Sequence, residues 1–386
     1  MQILKNKTNF DFIGKRKPAI FISTLVNIAI LVGIATVGFN YGVDFAGGTV
    51  VELKFNHSIS AADVRERAQK GGLHDVSVQN IGSADENAFL LRMGGVTQLT
   101  EENAEKAKKA IEALGPMRNV YADLANGIIN FRSATPMAAE TIKKAVEDSG
   151  TGVQEVRVLG ESQAGAGTDY QVVASGMADK VYSALSAGLE KPDFEQRRVD
   201  YVGPQVGKQL RNRGVMALLY SMVAILIYVA FRFDFKFGPG ALLAMIHDVI
   251  MVAGYYLVSR REFGLTAIAA LLTIVGYSVN DTIVIYDRIR EDMAKYKGKP
   301  LAEVINIAVN DTLGRTILTS GTTALSLIGL LIFGVGEIFD FAMAMLVGIL
   351  VGTYSSVYIA SPLTIWLDER AAAKEARHRD GMPKPA

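Results

Sequence analysis

The residue with the clearest chemical potential is Asp281, a carboxylate inside an otherwise apolar stretch. The stretch runs from Gly276 to Arg288 and reads GYSVNDTIVIYDR. An acid near the middle of a membrane-spanning helix costs roughly 2.5–3.5 kcal/mol on insertion scales, so it usually faces a partner, a water-filled cavity or a proton pathway. The sequence therefore predicts that Asp281 either carries protons or makes a structural cap or pair near a helix end.

Other ionisable residues lie in the same apolar part of the chain. Arg315 is predicted to open a later apolar run, where it offers Asp281 a partner of opposite charge. His247 and Asp248 are adjacent, so on a helix they point about 100° apart and do not both face lipid. These two residues are candidates either for a proton relay or for structural hydrogen bonding.

The polar residues around Asp281 are predicted to share one helix face that avoids lipid, because they fall three, four or seven positions apart. Hydroxyl residues after Arg315 form a second row, which favours close helix packing over a water-lined path. The first row is Thr273, Tyr277, Ser278, Asp281 and Arg288, and the second is Thr316, Thr319, Ser320, Thr323 and Ser326.

Two groups of small residues predict close approaches between backbones. Near the N-terminus, the segment YGVDFAGGT contains Gly42, Asp44, Gly47 and Gly48, and it favours a structural elbow between an apolar run and a strand. Toward the C-terminus, small residues at four-residue steps predict intimate contact with another helix. They are Ala344, Gly348, Gly352, Ser356 and Ala360.

The composition limits the classes of protein. Half of the 386 residues are hydrophobic, the net charge is +1 and cysteine is absent. No basic patch supports nucleic-acid binding, and four scattered histidines in a cysteine-free chain give no support for a zinc site. Because there is also no nucleophile–base pair or phosphate loop, we expect no catalytic residues, no metal and no cofactor.

The apolar residues cluster into segments of about 20, the length that crosses a bilayer. Lys and Arg flank these segments in a pattern that places both termini in the cytoplasm and the long polar interval outside. The predicted organisation is a cytoplasmic N-terminus (1–17), a first span (18–38), an outer domain (39–212), a bundle (213–367) with spans at 213–231, 238–258, 264–286, 316–334 and 338–362, and a cytoplasmic tail (368–386).

The outer domain alternates strand and helix patterns as an α+β fold does. A β-α-β-β-α order occurs within 50–115 and again within 127–190, with an offset of roughly 76 to 80 residues. The sequence predicts a ferredoxin-like domain, duplicated in tandem, that holds an extended peptide. The alternative is a rigid spacer whose halves are alike by chance.

The order of these motifs resembles the SecF subunits of the bacterial Sec protein-export machinery, within the resistance-nodulation-division superfamily. The resemblance covers nearly the whole predicted membrane part. It rests on Phe10–Arg16, Gly42–Gly48, Val202–Gly207 with Gly203 and Pro204, His247–Asp248, Gly276–Arg290 with Asn280, Arg315–Ser320 and Gly352–Ser356.

This resemblance implies an α-helical inner-membrane protein with six transmembrane helices, one half of the superfamily's fold, and a ferredoxin-like periplasmic domain. It implies SecD, SecYEG and YajC as partners, along with unfolded preprotein and membrane lipids. It also implies that proton flux drives late-stage export, with Asp281 and Arg315 as the ionisable residues of this half. The outer region is about twice as long as the family's usual single domain, so no residue roles are transferred there.

Two other functions stay open on the sequence. An autonomous proton-coupled exporter of small molecules or lipids would use the same six-helix half. A passive membrane scaffold with a protein-binding outer domain would use the buried charges only for structure.

Overall fold

The computed structural model describes residues 8–73, 76–81, 86–95, 97–124, 126–161, 167–233 and 236–379, without the side chains of 161 and 375–379. The outermost parts of the predicted N-terminal segment and tail, 1–7 and 380–386, lie outside these residues. The chain divides into two compact units, one formed by 1–40 with 213–386 and the other by 41–212.

The elements alternate between helix and strand only in the second unit. In chain order they are α1 (Arg16–Thr36), α2 (Val43–Ala46), β1 (Gly48–Phe55), α3 (Ala61–Lys70), β2 (Val76–Ile81), β3 (Ala88–Met93), α4 (Glu101–Glu112), β4 (Met117–Asp123), β5 (Ile128–Ser133), α5 (Ala139–Asp148), β6 (Val153–Glu161), β7 (Thr168–Ala174), α6 (Met177–Ser186), β8 (Phe194–Val202), α7 (Pro204–Arg232), α8 (Gly238–Ser259), α9 (Leu265–Lys295), α10 (Leu301–Phe333), α11 (Glu337–Ser355), a π-helix (Ser356–Ala360) and α12 (Ser361–Arg379).

Six helices in the described part of the chain are long and apolar enough to cross a membrane, which confirms the predicted number of spans. Among them α8 and α9 are central, because 50% and 56% of the residues in their most apolar 18-residue stretches are buried. In the corresponding stretch of α1 only 6% of the residues are buried. The sixth span is not one regular helix, because the π-helix interrupts it between α11 and α12. Such insertions often occur at functional sites.

The segment before α1 is anchored to the first turns of α10 by two side-chain amides. Asn310 accepts a hydrogen bond from the Phe10 N–H at 2.8 Å and donates one to the Phe10 carbonyl at 2.9 Å. Asn306 accepts from the Phe12 N–H at 2.9 Å. The part of α10 that precedes the apolar run is therefore packed and hydrogen-bonded, and the helix begins at Leu301.

The second unit contains two four-stranded antiparallel sheets. The first has the order β2-β3-β1-β8 and the second the order β4-β5-β7-β6. Each sheet buries one face against two helices. Val64 of α3 and Leu185 of α6 belong to the core of the first sheet, while Ile111 of α4 and Ile142 of α5 belong to the core of the second.

The two sheets exchange elements. Helix α4 and strand β4 follow β3 in the chain, yet they join the second sheet, and α6 and β8 follow β7 but return to the first. The two crossing segments pair with each other, because the Gln98 N–H donates to the Ser175 carbonyl at 3.0 Å and Thr97 forms a β-bridge with Gly176. Neither predicted repeat, 50–115 or 127–190, therefore forms a separate body, and their duplication stays a prediction.

The sequence did not predict the two strands that complete this exchange. Strands β4 and β8 lie at sheet edges and most of their residues are exposed or only partly buried. An edge strand has little need of alternating apolar residues, so the pattern that identifies a half-buried strand is weak in both. The fold class is nevertheless the predicted one, helical membrane spans with a sheet-containing α+β domain.

Candidate functional site

Asp248 lies on α8 in the helical unit and has no exposed surface. Ser355 Oγ of α11 donates to its Oδ2 at 2.8 Å, and Ser278 Oγ of α9 donates to the same oxygen. His247 Nδ1 lies 2.9 Å from Oδ1. Three helices thus supply polar groups to one carboxylate, as a buried charge requires.

Asp281 lies three residues beyond Ser278 on α9, about one turn away, and is only 3% exposed. Thr353 Oγ1 of α11 makes a long contact of 3.5 Å to its Oδ2. Thr353 Oγ1 is also 2.9 Å from Ser320 Oγ of α10. A row of three polar side chains therefore connects α9, α11 and α10 at this depth.

Arg315 does not open a helix, which corrects the prediction for this residue. It lies in the middle of α10, because this helix already begins at Leu301. Its side chain is exposed, and no ion pair joins it to Asp281 among the described residues, although its charge acts on the carboxylate. The possible pairing of Asp281 with Arg315 is not seen among the described residues, and the acid contacts a hydroxyl group instead.

The polar row predicted on α9 divides between different neighbours. Ser278 faces Asp248, whereas the Tyr277 hydroxyl donates to Thr323 Oγ1 of α10 at 3.3 Å. Thr273 is exposed and its hydroxyl bonds within its own helix. Arg288 forms ion pairs with Glu291, Asp292 and Asp311 away from Asp281. The row is therefore not one continuous polar face, because α8, α10 and α11 pack against different sides of α9.

The small residues of α11 make the predicted close contact, and their neighbour is α9. A Cβ placed on Gly348 would lie 2.4 Å from two side-chain carbons of Ile274, and one on Gly352 would lie 3.0 Å from the Ser278 Cβ. The two backbones approach this closely only because the glycines lack side chains. The same contact brings Thr353 and Ser355 to the two acids.

We expect the substitution Gly348→Ala to destabilise the helical unit. Ile274 is buried and β-branched, so it has little freedom to move aside, and overpacking of this kind costs about 1–3 kcal/mol. Thermal unfolding of the purified protein in detergent measures the change. Gly276→Ala is the matched control, because a Cβ there meets nothing within 4 Å and alanine favours the helix. Equal melting temperatures for the two variants would contradict the proposed contact.

The predicted elbow is a tight turn within the second unit. Gly47 has φ +78° and Gly48 has φ +146°, conformations that other residues rarely adopt. A Cβ on Gly47 would lie 2.8 Å from the Pro204 Cα, and one on Gly48 would lie 2.4 Å from the Met93 carbonyl oxygen. Pro204 is the first residue of α7, a position where its missing N–H is tolerated.

The remaining motif residues have less specific surroundings. Gly42 is the N-cap residue of α2 and Asp44 lies in its first turn. A Cβ on Gly203 would meet nothing within 4 Å, so close packing does not explain this glycine. Asn280 is exposed on α9. The structure thus gives a steric reason for the elbow glycines Gly47 and Gly48.

Comparisons with known proteins agree along the whole chain. The family model for the C-terminal part of the SecD/SecF protein export membrane proteins matches residues 181–370, and the SecD/SecF GG motif matches residues 32–59, which include Gly47 and Gly48. The protein translocase subunit SecF of Magnetococcus marinus is 39% identical over 376 residues, 97% of each chain. That of Koribacter versatilis is 34% identical and covers 100% of this chain and 97% of its own.

Solved structures are similar as well. A crystal structure of SecDF in a super-membrane-facing form has a TM-score of 0.60 and 29% identity, with 97% of this chain covered. SecDF from Thermus thermophilus, a translocon-associated membrane protein, has a TM-score of 0.62 and 29% identity over 96% of this chain. This chain corresponds to only 41% and 40% of those two chains.

The apolar helices, the buried acids and these similarities define a multi-pass membrane protein of the protein-export class. The chain belongs to the SecD/SecF family, in the group of SecF protein translocase subunits.

Proposed function

We propose that this chain acts with a SecD subunit and uses the proton gradient to promote the late stage of protein export through SecYEG. The observation that carries the proposal is Asp281, a carboxylate that is 3% exposed in an apolar helix and contacts a hydroxyl group rather than a cation. A buried acid that forms no ion pair with a cation among the described residues is well suited to change its protonation state. The similarity to SecDF supports the pairing with SecD.

The exposed position of Arg315 also supports a partner subunit. A charged side chain in the middle of an apolar helix normally faces a cavity or another protein rather than lipid. Only 11% of the residues in the most apolar 18-residue stretch of α10 are buried. Helix α10 therefore presents a large surface on which a six-helix partner would cover Arg315.

Proton binding would act through the row from Ser320 to Asp281. An ionised carboxylate only accepts hydrogen bonds, whereas a protonated one also donates. Protonation would let Asp281 donate to Thr353, which would then donate toward Ser320. The change reverses the hydrogen bonds between α9, α11 and α10 and removes the attraction to Arg315, so it shifts the balance between two helix packings.

The distribution of positive charge supports the orientation in the membrane. Lys15, Arg16 and Lys17 lie at the start of α1, and Arg370 follows the last apolar turns. By the positive-inside rule both termini lie in the cytoplasm and the unit 41–212 lies in the periplasm of the inner membrane. There its sheets would contact the emerging preprotein, with YajC as a further partner of the assembly.

Mild detergent extraction followed by mass identification of the co-purifying chains tests the assembly. We expect a homologous six-helix SecD subunit and components of SecYEG to co-purify in defined ratios. Arg315→Glu should weaken the recovery of SecD, whereas the exposed Lys297→Glu, in the loop between α9 and α10, should not. Recovery of an active homo-oligomer without SecD would contradict the proposal and favour an autonomous exporter.

A further inference from the structure

A cavity of about 580 Å³ lies in the helical unit between α1, α8 and α12. Arg16, Lys17 and Glu369 line it at the end where α1 begins, and Leu31 lines it toward the other end. Most of its wall is apolar. By volume it holds several water molecules, since each occupies about 30 Å³ in the liquid. Asp248 and Asp281 do not line this cavity, so it is a feature separate from the two acids.

A polar strip runs along one side of the cavity. Ser23 and Asn27 lie one turn apart on α1, and both line it, as does His247 of α8. Ser23 Oγ is 2.8 Å from the hydroxyl of Tyr354, and Asn27 Nδ2 donates to the Ser23 carbonyl at 2.9 Å. The strip therefore combines groups from α1 and α8 in a mostly apolar wall, and Tyr354 of α11 contacts it through Ser23.

Two polar atoms of this strip lack hydrogen-bond partners within the described part of the chain. They are Asn27 Oδ1 and His247 Nε2, and both are buried. Buried polar atoms have a partner in the great majority of proteins, and ordered water is one of the usual partners. A lipid chain in the cavity would leave both atoms unsatisfied. Two such atoms in the wall of one cavity therefore indicate water as its occupant.

His247 connects this cavity to the enclosed acid. His247 is only 5% exposed. Its Nδ1 lies 2.9 Å from Asp248 Oδ1, and its Nε2 is the nitrogen without a partner among the described residues. Asp248 from its own helix contacts the imidazole, and the Tyr354 ring of α11 lies 6.1 Å away between ring centres, while Asn27 lines the same cavity. Farther out, Arg16, Lys17 and Glu369 are the charged groups of the same cavity.

We propose that this cavity holds water and that His247 passes protons between this water and Asp248. The inference rests on the proton coupling proposed above and assigns it a route. A proton from water would bind Nε2 while the proton on Nδ1 moves to Asp248 Oδ1. One N–H bond forms, one breaks, and the carboxylate becomes neutral. The reverse transfers, from Asp248 Oδ1 to Nδ1 and from Nε2 to the cavity water, restore the starting state, so His247 moves one proton in either direction.

The absence of cysteine from the sequence makes the cavity directly testable with single cysteine substitutions. Water-soluble thiosulfonate reagents react with the thiolate, which forms only where water reaches the side chain. We expect Asn27→Cys to react at least tenfold faster than Leu25→Cys and Ala29→Cys. These two controls are exposed positions outside the cavity, about 3 Å to either side along the same helix.

Labelling is measured in membranes that contain the full translocase, on the tagged chain after purification. Ile250→Cys, on the opposite wall, repeats the test in case Asn27→Cys disturbs α1. Equal, slow rates at the cavity and control positions would overturn the proposal, because they indicate a cavity filled by lipid chains or closed to water. Fast labelling at either cavity position supports it.

His247→Gln tests the relay separately from the water. Glutamine still offers a hydrogen bond to Asp248 but does not carry a proton. We expect proton-driven export to fall at least tenfold and to lose its dependence on pH, because glutamine binds no proton, while labelling at position 27 stays fast. Unchanged export and pH profile in this variant would overturn the relay. If Asp281→Asn leaves export unchanged, proton coupling itself fails, but the labelling result still stands.

Discussion

Asp281→Asn is expected to abolish the part of protein export that depends on the proton gradient. The amide has nearly the same shape but does not gain or lose a proton, so the contact with Thr353 no longer changes. A proton that crosses the membrane potential supplies about 2.3 kcal/mol per 100 mV. This energy biases a two-state equilibrium about fiftyfold, since each 1.36 kcal/mol is tenfold. The gradient-driven rate should fall by up to this factor.

The measurement is completion of preprotein export in inverted membrane vesicles, with and without an uncoupler. Asp287→Asn is the matched control, because Asp287 is an exposed acid on the same helix, paired with Arg232 at 3.1 Å. The control should keep the response to the uncoupler. If Asp281→Asn vesicles respond like the wild type, Asp281 is only structural, and the scaffold interpretation gains support.

Asp248→Ala is expected to cause a large loss of stability in the helical unit. The carboxylate accepts hydrogen bonds from Ser278 and Ser355 and contacts His247. Its removal leaves these groups buried without their acceptor, at roughly 1–3 kcal/mol each. The total of at least about 3 kcal/mol corresponds to a decrease in melting temperature on the order of 10 °C for a unit of this size.

Thermal unfolding in detergent compares this variant with two others. Asp248→Asn keeps one acceptor oxygen and the hydroxyl groups can reorient, so its loss should be clearly smaller. Asp287→Ala removes a surface ion pair, which contributes only about 0–1 kcal/mol. A melting temperature for Asp248→Ala equal to that of Asp287→Ala would show that the carboxylate does not organise α8, α9 and α11.

The two acids differ in what they contribute, and both depend on the same helix contact. Gly348 and Gly352 bring α11 against α9, and the hydroxyl groups of Thr353 and Ser355 then reach Asp281 and Asp248 on either side. The π-helix begins directly after Ser355. A change in the protonation of either acid would therefore alter hydrogen bonds of Thr353 or Ser355, next to the start of the π-helix.

Several features could be predicted from the sequence because they depend on local composition. Runs of about 20 apolar residues predict the six spans, since a single helix of this length satisfies its own backbone hydrogen bonds in lipid. The cost of a charge in such a run identified Asp281 as a buried residue. Small residues at four-residue steps indicated the close contact of α11, because their spacing places them on one side of a helix.

The sequence by itself therefore determined which segments are apolar enough to span the membrane and which side chains carry a large free-energy cost there. It also determined which face of α11 consists of small residues. Only the tertiary structure decided the neighbours. It placed Asp248 at the centre of the polar contacts and Arg315 in the middle of α10, without an ion pair to Asp281 among the described residues. It also placed α4 and β4 with the second sheet and α6 and β8 with the first. The physical reason is that periodicity reports which face of an element is buried, whereas the element that covers this face is chosen by packing between residues far apart in the chain.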